Sequence, residues 1–381
     1  MKQCKRLVYV SGLCLLFSVM AGCGKQEAQE GTVQTDPAHF YEEVREDILI
    51  DADVIQPEGD YIPRVYEAEP VMITKEDINK FIEFCDDGVA RITMDKRIGT
   101  MDAYYVETDK GGEVICNTNT AIEEPSSAFS YCLDEDMPYS DVVTGYGGLQ
   151  KSSYVEEDNT FLYDQPKDFA FATAKEAEAI VREALKAINL DHLILERTLY
   201  LDHEVMQRYQ QENLEDIKEL HEKMEAPYAV KDWTEADDCY QFVFSYDVDG
   251  IPTIVSDKGT PTFTITPAVA MFRYTEKGII LASVGDFWKL AETVEEPEKI
   301  ISATEAMETV KEKLESVYSG QVREVQEIAL RYAPMQDKNR WLLSPVWEVL
   351  VCEKDVPLIY AGITSDEYSY ILVDALTGEE L

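Results

Sequence analysis

Two segments of the chain carry the same helical pattern and decide the fold that we expect. They read TAKEAEAIVREALKAI at residues 173–188 and SATEAMETVKEKLESV at residues 302–317. Each begins with a hydroxyl residue and has a glutamate three positions later, which is the pattern of a capping box at the start of a helix. Apolar residues then recur at intervals of three and four, so each segment predicts an amphipathic helix with one face toward a core.

The two segments also share residues in one register. The identical pairs are Ala174 and Ala303, Glu176 and Glu305, Ala177 and Ala306, Val181 and Val310, Glu183 and Glu312, and Leu185 and Leu314. Chance identity at this many aligned positions is improbable, so we interpret the segments as an internal duplication whose unit is longer than a solenoid repeat.

Strand-like segments follow both predicted helices. After the first helix they occupy residues 193–201, 240–246 and 268–281, with a polar helical insertion at 204–225; after the second they occupy 324–332, 346–351 and 368–375. Alternation of inward and outward residues in the last of these favours antiparallel strands. The sequence therefore predicts an α+β fold, in which tandem units of a helix packed on an antiparallel sheet follow an N-terminal α+β region.

The N-terminal region has weaker signals. Thr74 and Asp77 resemble another capping box, and apolar residues at helical spacing follow them as far as Cys85. Two strand-like segments, 103–106 and 113–116, flank a turn and predict a hairpin.

The predicted organisation divides the chain into five parts. Residues 1–22 form a signal peptide, 23–39 a flexible polar tether, 40–166 the N-terminal α+β domain, 167–298 the first repeat with its helical insertion, and 299–381 the second repeat. A length of 381 residues suits two or three folded domains.

The leader gives the clearest functional signal. Residues 7–19 are apolar apart from Ser and Gly and follow the basic residues Lys2, Lys5 and Arg6. A spanning helix needs about 20 apolar residues, so this run is typical of a signal peptide. Met20, Ala21 and Gly22 precede Cys23 and resemble a lipobox, which implies acylation of Cys23 after cleavage. The alternatives are a plain secretory signal with an incidental cysteine, or an uncleaved anchor.

The charge limits the partners of the protein. With 34 basic and 75 acidic residues, the formal net charge is −41, which would repel the phosphates of nucleic acids and anionic lipid headgroups. We therefore expect no nucleic acid partner, and we expect membrane contact through the lipid anchor alone. The main interpretation of the acidic charge is a solvated surface that keeps the protein soluble. The second interpretation is attraction to a basic partner or to divalent cations.

No catalytic, metal or cofactor site is predicted. The chain has no GxSxG, SxxK, HExxH or P-loop motif, and its histidines, His39, His192, His203 and His221, form no ligand pair on one helix face. The acidic clusters 134–136 and 156–158 lack the spacing of a calcium loop. Cys116 and Cys132 are close enough in sequence for a disulfide across a hairpin; the alternative is that all the cysteines after Cys23 are buried free thiols.

The second repeat resembles the PepSY-like module of extracytoplasmic bacterial proteins. The matching features are the helix start at Ser302, Pro345-Val346-Trp347 entering a strand, and the closing segment Asp374-Ala-Leu-Thr-Gly378. Similar modules occur in regulatory proteins of the cell-wall histidine kinase. The resemblance implies a binding or regulatory module with a partner in the cell envelope, and it supplies no catalytic residues.

We therefore expect a lipoprotein, anchored to the cell membrane on its extracytoplasmic face, that binds or regulates another envelope protein and is not an enzyme. A small-ligand or cation-binding lipoprotein is the alternative, followed by an envelope hydrolase that uses paired carboxylates. A concave pocket with converging polar groups would favour an enzyme, whereas an apolar patch or an open strand edge would favour a binding module.

We predict that Cys23→Ser leaves the protein folded but prevents its lipidation, because the thiol is the atom that is acylated. Detergent-phase partitioning and intact mass of the mature protein measure this, with Cys85→Ser as the matched control. Unchanged partitioning of Cys23→Ser would contradict the predicted anchor.

Overall fold

The computed structural model describes residues 36–57, 62–121, 125–143, 160–223, 230–255, 258–259, 264–265, 268–317, 319–357 and 364–381.

The predicted helices begin at the expected residues. The backbone N–H of Glu176 donates to Thr173 Oγ1 at 3.3 Å, and that of Glu305 donates to Ser302 Oγ at 3.1 Å. Each glutamate in turn accepts from the backbone of its capping residue, which confirms both capping boxes.

Strands outweigh helices in the described part of the chain. The α-helices are α1 (Lys75–Phe84), α2 (Met137–Ser140), α3 (Ala174–Ala187), α4 (His203–Glu212), α5 (Leu214–Lys223) and α6 (Ala303–Ser316). The strands are β1 (His39–Arg45), β2 (Ile48–Ile55), β3 (Val65–Pro70), β4 (Val89–Ile98), β5 (Met101–Thr108), β6 (Glu113–Asn119), β7 (Ser126–Cys132), β8 (Ile194–Leu201), β9 (Cys239–Ser245), β10 (Asp247–Val248), β11 (Ile251–Pro252), β12 (Lys258–Gly259), β13 (Thr264–Ile265), β14 (Val269–Thr275), β15 (Gly278–Gly285), β16 (Trp288–Glu295), β17 (Arg323–Asp337), β18 (Arg340–Pro357) and β19 (Thr364–Asp374).

Two large sheets contain most of these strands. Sheet A has the order β1-β2-β17-β18-β3-β16, and β19 also pairs with the long strand β18. Its one parallel pair among the described strands joins β2 to β17. Sheet B is antiparallel and has the order β4-β5-β6-β7-β15-β14-β9-β8. Helix α6 contacts sheet A, while α3 contacts sheet B and lies beside α1.

The predicted fold class of tandem helix-plus-sheet units is wrong. Strands account for 48% of the structure and helices for 23%, so the protein is mostly β. An antiparallel meander follows each of the helices α1, α3 and α6, but none of these meanders forms a sheet of its own. The meander after α6 is extended by β2 and β3, and the meander after α3 is joined to β7. Sheet A therefore crosses the predicted boundaries at residues 166 and 298, and sheet B crosses the boundary at 166.

The physical reason is the hydrogen bonding of strand edges. A meander of three or four strands leaves a row of unpaired N–H and C=O groups on each outer strand, and another strand can satisfy them. In sheet B the last strands of two meanders satisfy each other, because β7 and β15 pair with Ala128 opposite Gly285 and Ser130 opposite Ser283. The helical periodicity that predicted the units contains no information about this pairing.

One continuous apolar core joins the sheets and the helices. It includes Ile50 of β2 and Trp347 of β18 from sheet A, and Phe129 of β7 from sheet B. Phe81 of α1 is fully buried and contacts both halves of sheet B, because its ring centroid lies 5.2 Å from that of Phe129 and 6.3 Å from that of Phe272 in β14. Helix α1 thus bridges the two meanders.

We predict that Phe81→Ala lowers the free energy of unfolding by about 3 to 5 kcal/mol, because it leaves a cavity under the joined halves of sheet B. Phe84→Ala on the same helix is the matched control; Phe84 is 38% exposed, and its removal should cost less than about 1 kcal/mol. Guanidinium unfolding followed by tryptophan fluorescence measures both. Equal effects of the two substitutions would contradict the bridging role of Phe81.

Candidate functional site

The predicted lipidation site lies outside the described residues, as do the cluster 156–158 and most of the tether. The first described residue, Asp36, contacts the start of α6: the backbone N–H groups of Ala303 and Thr304 donate to its carboxylate at 3.0 and 3.2 Å. A carboxylate at a helix N-terminus is favoured by the helix dipole. Within the described residues, no helix has the length and apolar character needed to cross a membrane.

The two cysteines of the predicted disulfide are free thiols. Cys116 of β6 lies opposite Phe129, whereas Cys132 of β7 lies opposite Glu113. Successive residues of a strand point to opposite faces, so this offset of three places the two thiols on different faces of the sheet. Burial raises the pKa of both thiols to about 11, which keeps them protonated and poorly nucleophilic at neutral pH.

The four histidines lie apart, and three of them contact carboxylates. His39 is held between Asp51 and Asp53, and the hydrogen bond with Asp53 raises its pKa. His221 Nε2 lies 2.8 Å from Asp141 Oδ1. His192 is exposed, but its ring lies against Tyr246, and the desolvation there lowers its pKa.

His203 belongs to the one group of potential metal ligands found among the described residues. The ligand atoms of Asp202, His203 and Asp238 lie within 4.8 Å of one another. These atoms already have partners: Asp202 Oδ1 accepts the backbone N–H of Glu204 at 2.8 Å as the N-cap of α4, and its other oxygen contacts the ammonium of Lys167. His203 contacts Asp238 through both its backbone N–H and Nδ1, at 2.8 Å each. The group therefore fixes the start of α4.

The residues that carried the resemblance are structural. Trp347 is fully buried, and its indole N–H donates to Ile301 O at 3.1 Å. Asp374 forms the closing turn, because its Oδ1 accepts the backbone N–H groups of Leu376 and Thr377 at 2.7 and 3.0 Å. Gly378 completes this turn at a φ of +80°, which a side chain would disfavour.

The acidic cluster 134–136 also has a structural role. Asp136 is 3% exposed and accepts from Arg273 Nη1 at 2.9 and 3.0 Å, while Arg273 Nε donates to Gln241 Oε1 at 2.8 Å. This ion pair attaches the segment before α2 to the outer face of β9 and β14. Burial raises the pKa of Asp136, and Arg273 opposes that shift.

The first half of sheet B has an open outer face. A groove with a volume of about 310 Å³ lies over the junction of β7 and β15. Six of the outward residues that line it are uncharged and belong to β6, β7 and β15: Ile115, Asn117, Ala128, Ser130, Ser283 and Gly285. We call these six residues the junction groove. Ala128 and Ser283 are exposed, and Ile115 is 39% exposed.

The two halves of the outer face therefore differ. In the second half, Gln241 and Arg273 are buried, and Asp136 and Tyr139 lie against the Arg273 guanidinium. Tyr139 in turn packs on Trp233, with ring centroids 5.1 Å apart. In the first half, Ile115, Ala128 and Ser283 of the junction groove are exposed, although Ala103 in the same row is buried.

The edge of sheet B next to the open face is strand β4. Nine of its ten residues are exposed and Met94 is intermediate, so neither face of the strand is covered. Ile92 and Ile98 are 49% and 56% exposed. An exposed strand of this length with apolar side chains offers unpaired backbone groups to another strand.

Comparisons with known proteins give information about the fold alone. No family model matches the chain, and no curated protein matches it. The structure is similar to the crystal structure of an uncharacterized protein from Eubacterium rectale, with a TM-score of 0.63 and 16% sequence identity over 91% of this chain and 93% of that chain. This likeness shows that another protein has a similar architecture. It gives no information about the activity of this chain.

Sequence reasoning missed the junction groove. Its residues come from three strands, β6, β7 and β15, of which β15 is far from the other two in the chain, and none belongs to a motif. One local signal was present, because Ser126–Cys132 alternates small residues with Phe129 and Tyr131. Such a strand buries its aromatic face and leaves a smooth opposite face.

We predict that Asp202→Ala lowers the free energy of unfolding by about 1 to 2 kcal/mol through loss of the N-cap of α4, and that excess Ca²⁺ or Zn²⁺ leaves the melting temperature of the wild type unchanged. Glu204→Ala, an exposed acid in the same turn, is the control. Calorimetry measures both effects. A metal-induced rise in melting temperature that Asp202→Ala abolishes would instead identify a metal site.

Proposed function

We propose that this chain is an extracytoplasmic lipoprotein, anchored to the cell membrane through acylated Cys23, that binds another protein of the cell envelope without catalysing a reaction. The signal-like leader and the residues Met20, Ala21 and Gly22 before Cys23 support the anchor. The PepSY-like closing segment supports a regulatory role for this binding.

The open outer face of sheet B carries the proposal. The chain has a formal net charge of −41, yet every residue that lines the groove over β7 and β15 is uncharged. An uncharged, partly apolar area on a strongly acidic surface is a place where a partner can make contact without burying carboxylates, whose desolvation is costly. Apolar surface that remains open in this way is a feature of interaction sites.

The same geometry favours binding over hydrolysis. Hydrolysis by paired carboxylates requires two of them to face the bond that is cleaved, and the groove lining contains none. The small residues Ala128, Ser130 and Gly285 form a smooth floor, which suits the close approach of another polypeptide.

We predict that a photo-crosslinking amino acid at Ser283, in the lipid-anchored protein on intact cells, forms an adduct with one discrete envelope protein. Ser283 is exposed within the groove, so a bound partner would lie within reach. The same amino acid at Lys289, an exposed residue of β16 in sheet A, is the matched control and should give no such adduct. Mass spectrometry identifies the adducts.

A second substitution makes this test specific. Ser130→Arg places a long charged side chain opposite Ser283 on the groove floor and should remove most of the adduct at unchanged melting temperature. The proposal fails if adduct formation at position 283 is absent, or if it is insensitive to Ser130→Arg.

A further inference from the structure

Strand β4 is the edge of sheet B that borders the open face. Its pairing with β5 is irregular between Val89 and Arg91 and again between Ile92 and Met94, but it is regular from Met94 to Ile98. The regular part is therefore the length of edge that another strand could pair with in an undistorted ladder.

Cross-strand pairing places Lys96 in the same row as the junction groove. Lys96 lies opposite Ala103 of β5, Ala103 opposite Asn117, Asn117 opposite Ala128, and Ala128 opposite Gly285. Directly opposed residues share a face of the sheet, so Lys96 points to the outer side. Met94 and Ile98 lie two residues away on either side of Lys96 and share that face.

The outward residues of this edge are a cation between two apolar side chains. Lys96 is exposed and makes no ion pair with any residue that the structure describes, whereas the neighbouring Arg91 and Arg97 contact Glu107 and Asp102. Lys96 thus keeps a positive charge available on an otherwise strongly acidic protein.

Pairing of β4 with the β4 of a second copy is disfavoured. Two-fold antiparallel pairing of the regular segment would centre on Lys96, with Met94 opposite Ile98, and would place the two Lys96 ammonium groups against each other. Like charges that face each other across strands are destabilising, and an edge lysine protects against such self-pairing. An acidic residue at the central position would turn this repulsion into attraction.

We infer that β4 accepts, by strand addition, an extended segment of the partner protein with the pattern apolar-x-acidic-x-apolar. The acid faces Lys96, and the two apolar residues face Met94 and Ile98. The pattern is symmetric, so it fits either strand direction. The inference rests on the proposed function, because the segment belongs to the partner protein proposed there. The added strand would extend the open face that includes the junction groove.

Charge exchange tests the inference. Two synthetic ten-residue peptides with the cores Val-Thr-Glu-Thr-Val and Val-Thr-Lys-Thr-Val are titrated into the full-length lipoprotein in detergent micelles, and binding is followed by fluorescence anisotropy. The wild type should bind the glutamate peptide about tenfold more tightly than the lysine peptide, and Lys96→Glu should reverse the preference. Lys289→Glu, on the exposed strand β16, is the control that should keep the wild-type preference.

Two outcomes would overturn the inference. Equal affinities of the two peptides in both proteins would show that Lys96 does not face the added residue. Undiminished binding of a glutamate peptide with N-methyl groups on alternate residues would show that no backbone ladder forms. After either outcome, a Ser283 adduct that forms equally in the wild type and in Lys96→Glu would retain the binding function of the face while removing β4 from it. Absence of the Ser283 adduct in the wild type would reject the proposed function as well.

Discussion

The pairing of β7 with β15 is the constraint on which the rest of the structure depends. It joins two meanders into one antiparallel sheet, although β7 and β15 are more than a hundred residues apart in the chain. Gly285 suits the close approach of the two strands, because a Cβ at that position would lie 3.2 Å from the Cβ of Ala128 and one of them would have to shift by a few tenths of an ångström. The paired strands also place Phe129 and Phe272 on one side, where Phe81 of α1 covers both.

The asymmetry of sheet B follows from what the chain inserts between its strands. The segment around α2 lies in the connection between the two halves, and the helices α4 and α5 lie between β8 and β9 of the second half. The ion pair of Arg273 with Asp136 attaches the segment around α2 to the outer face of the second half. A buried ion pair contributes little net stability, but it fixes where that segment sits. The first half has no equivalent cover among the described residues, so the groove over β7 and β15 remains open.

The sequence predicted local structure well and assembly badly. Capping boxes at Thr74, Thr173 and Ser302 depend on atoms three residues apart, and all three form. The predicted helical insertion is also present, as α4 and α5 with a break at Asn213. Tandem units were wrong because strand edges bind to whichever free edge the fold brings close, and Ala128 reaches Gly285 across 157 residues of sequence.

By itself, therefore, the sequence determined where α3 and α6 begin, the turn at Asp374, and the expectation of an anchor at Cys23, since each depends on residues that are neighbours along the chain. Only the tertiary structure decided which strands share a sheet and which face stays open. The floor of the groove and the row that ends at Lys96 combine residues from β4, β5, β6, β7 and β15. Such a surface exists through hydrogen bonds between distant strands, and no local pattern of residues encodes them.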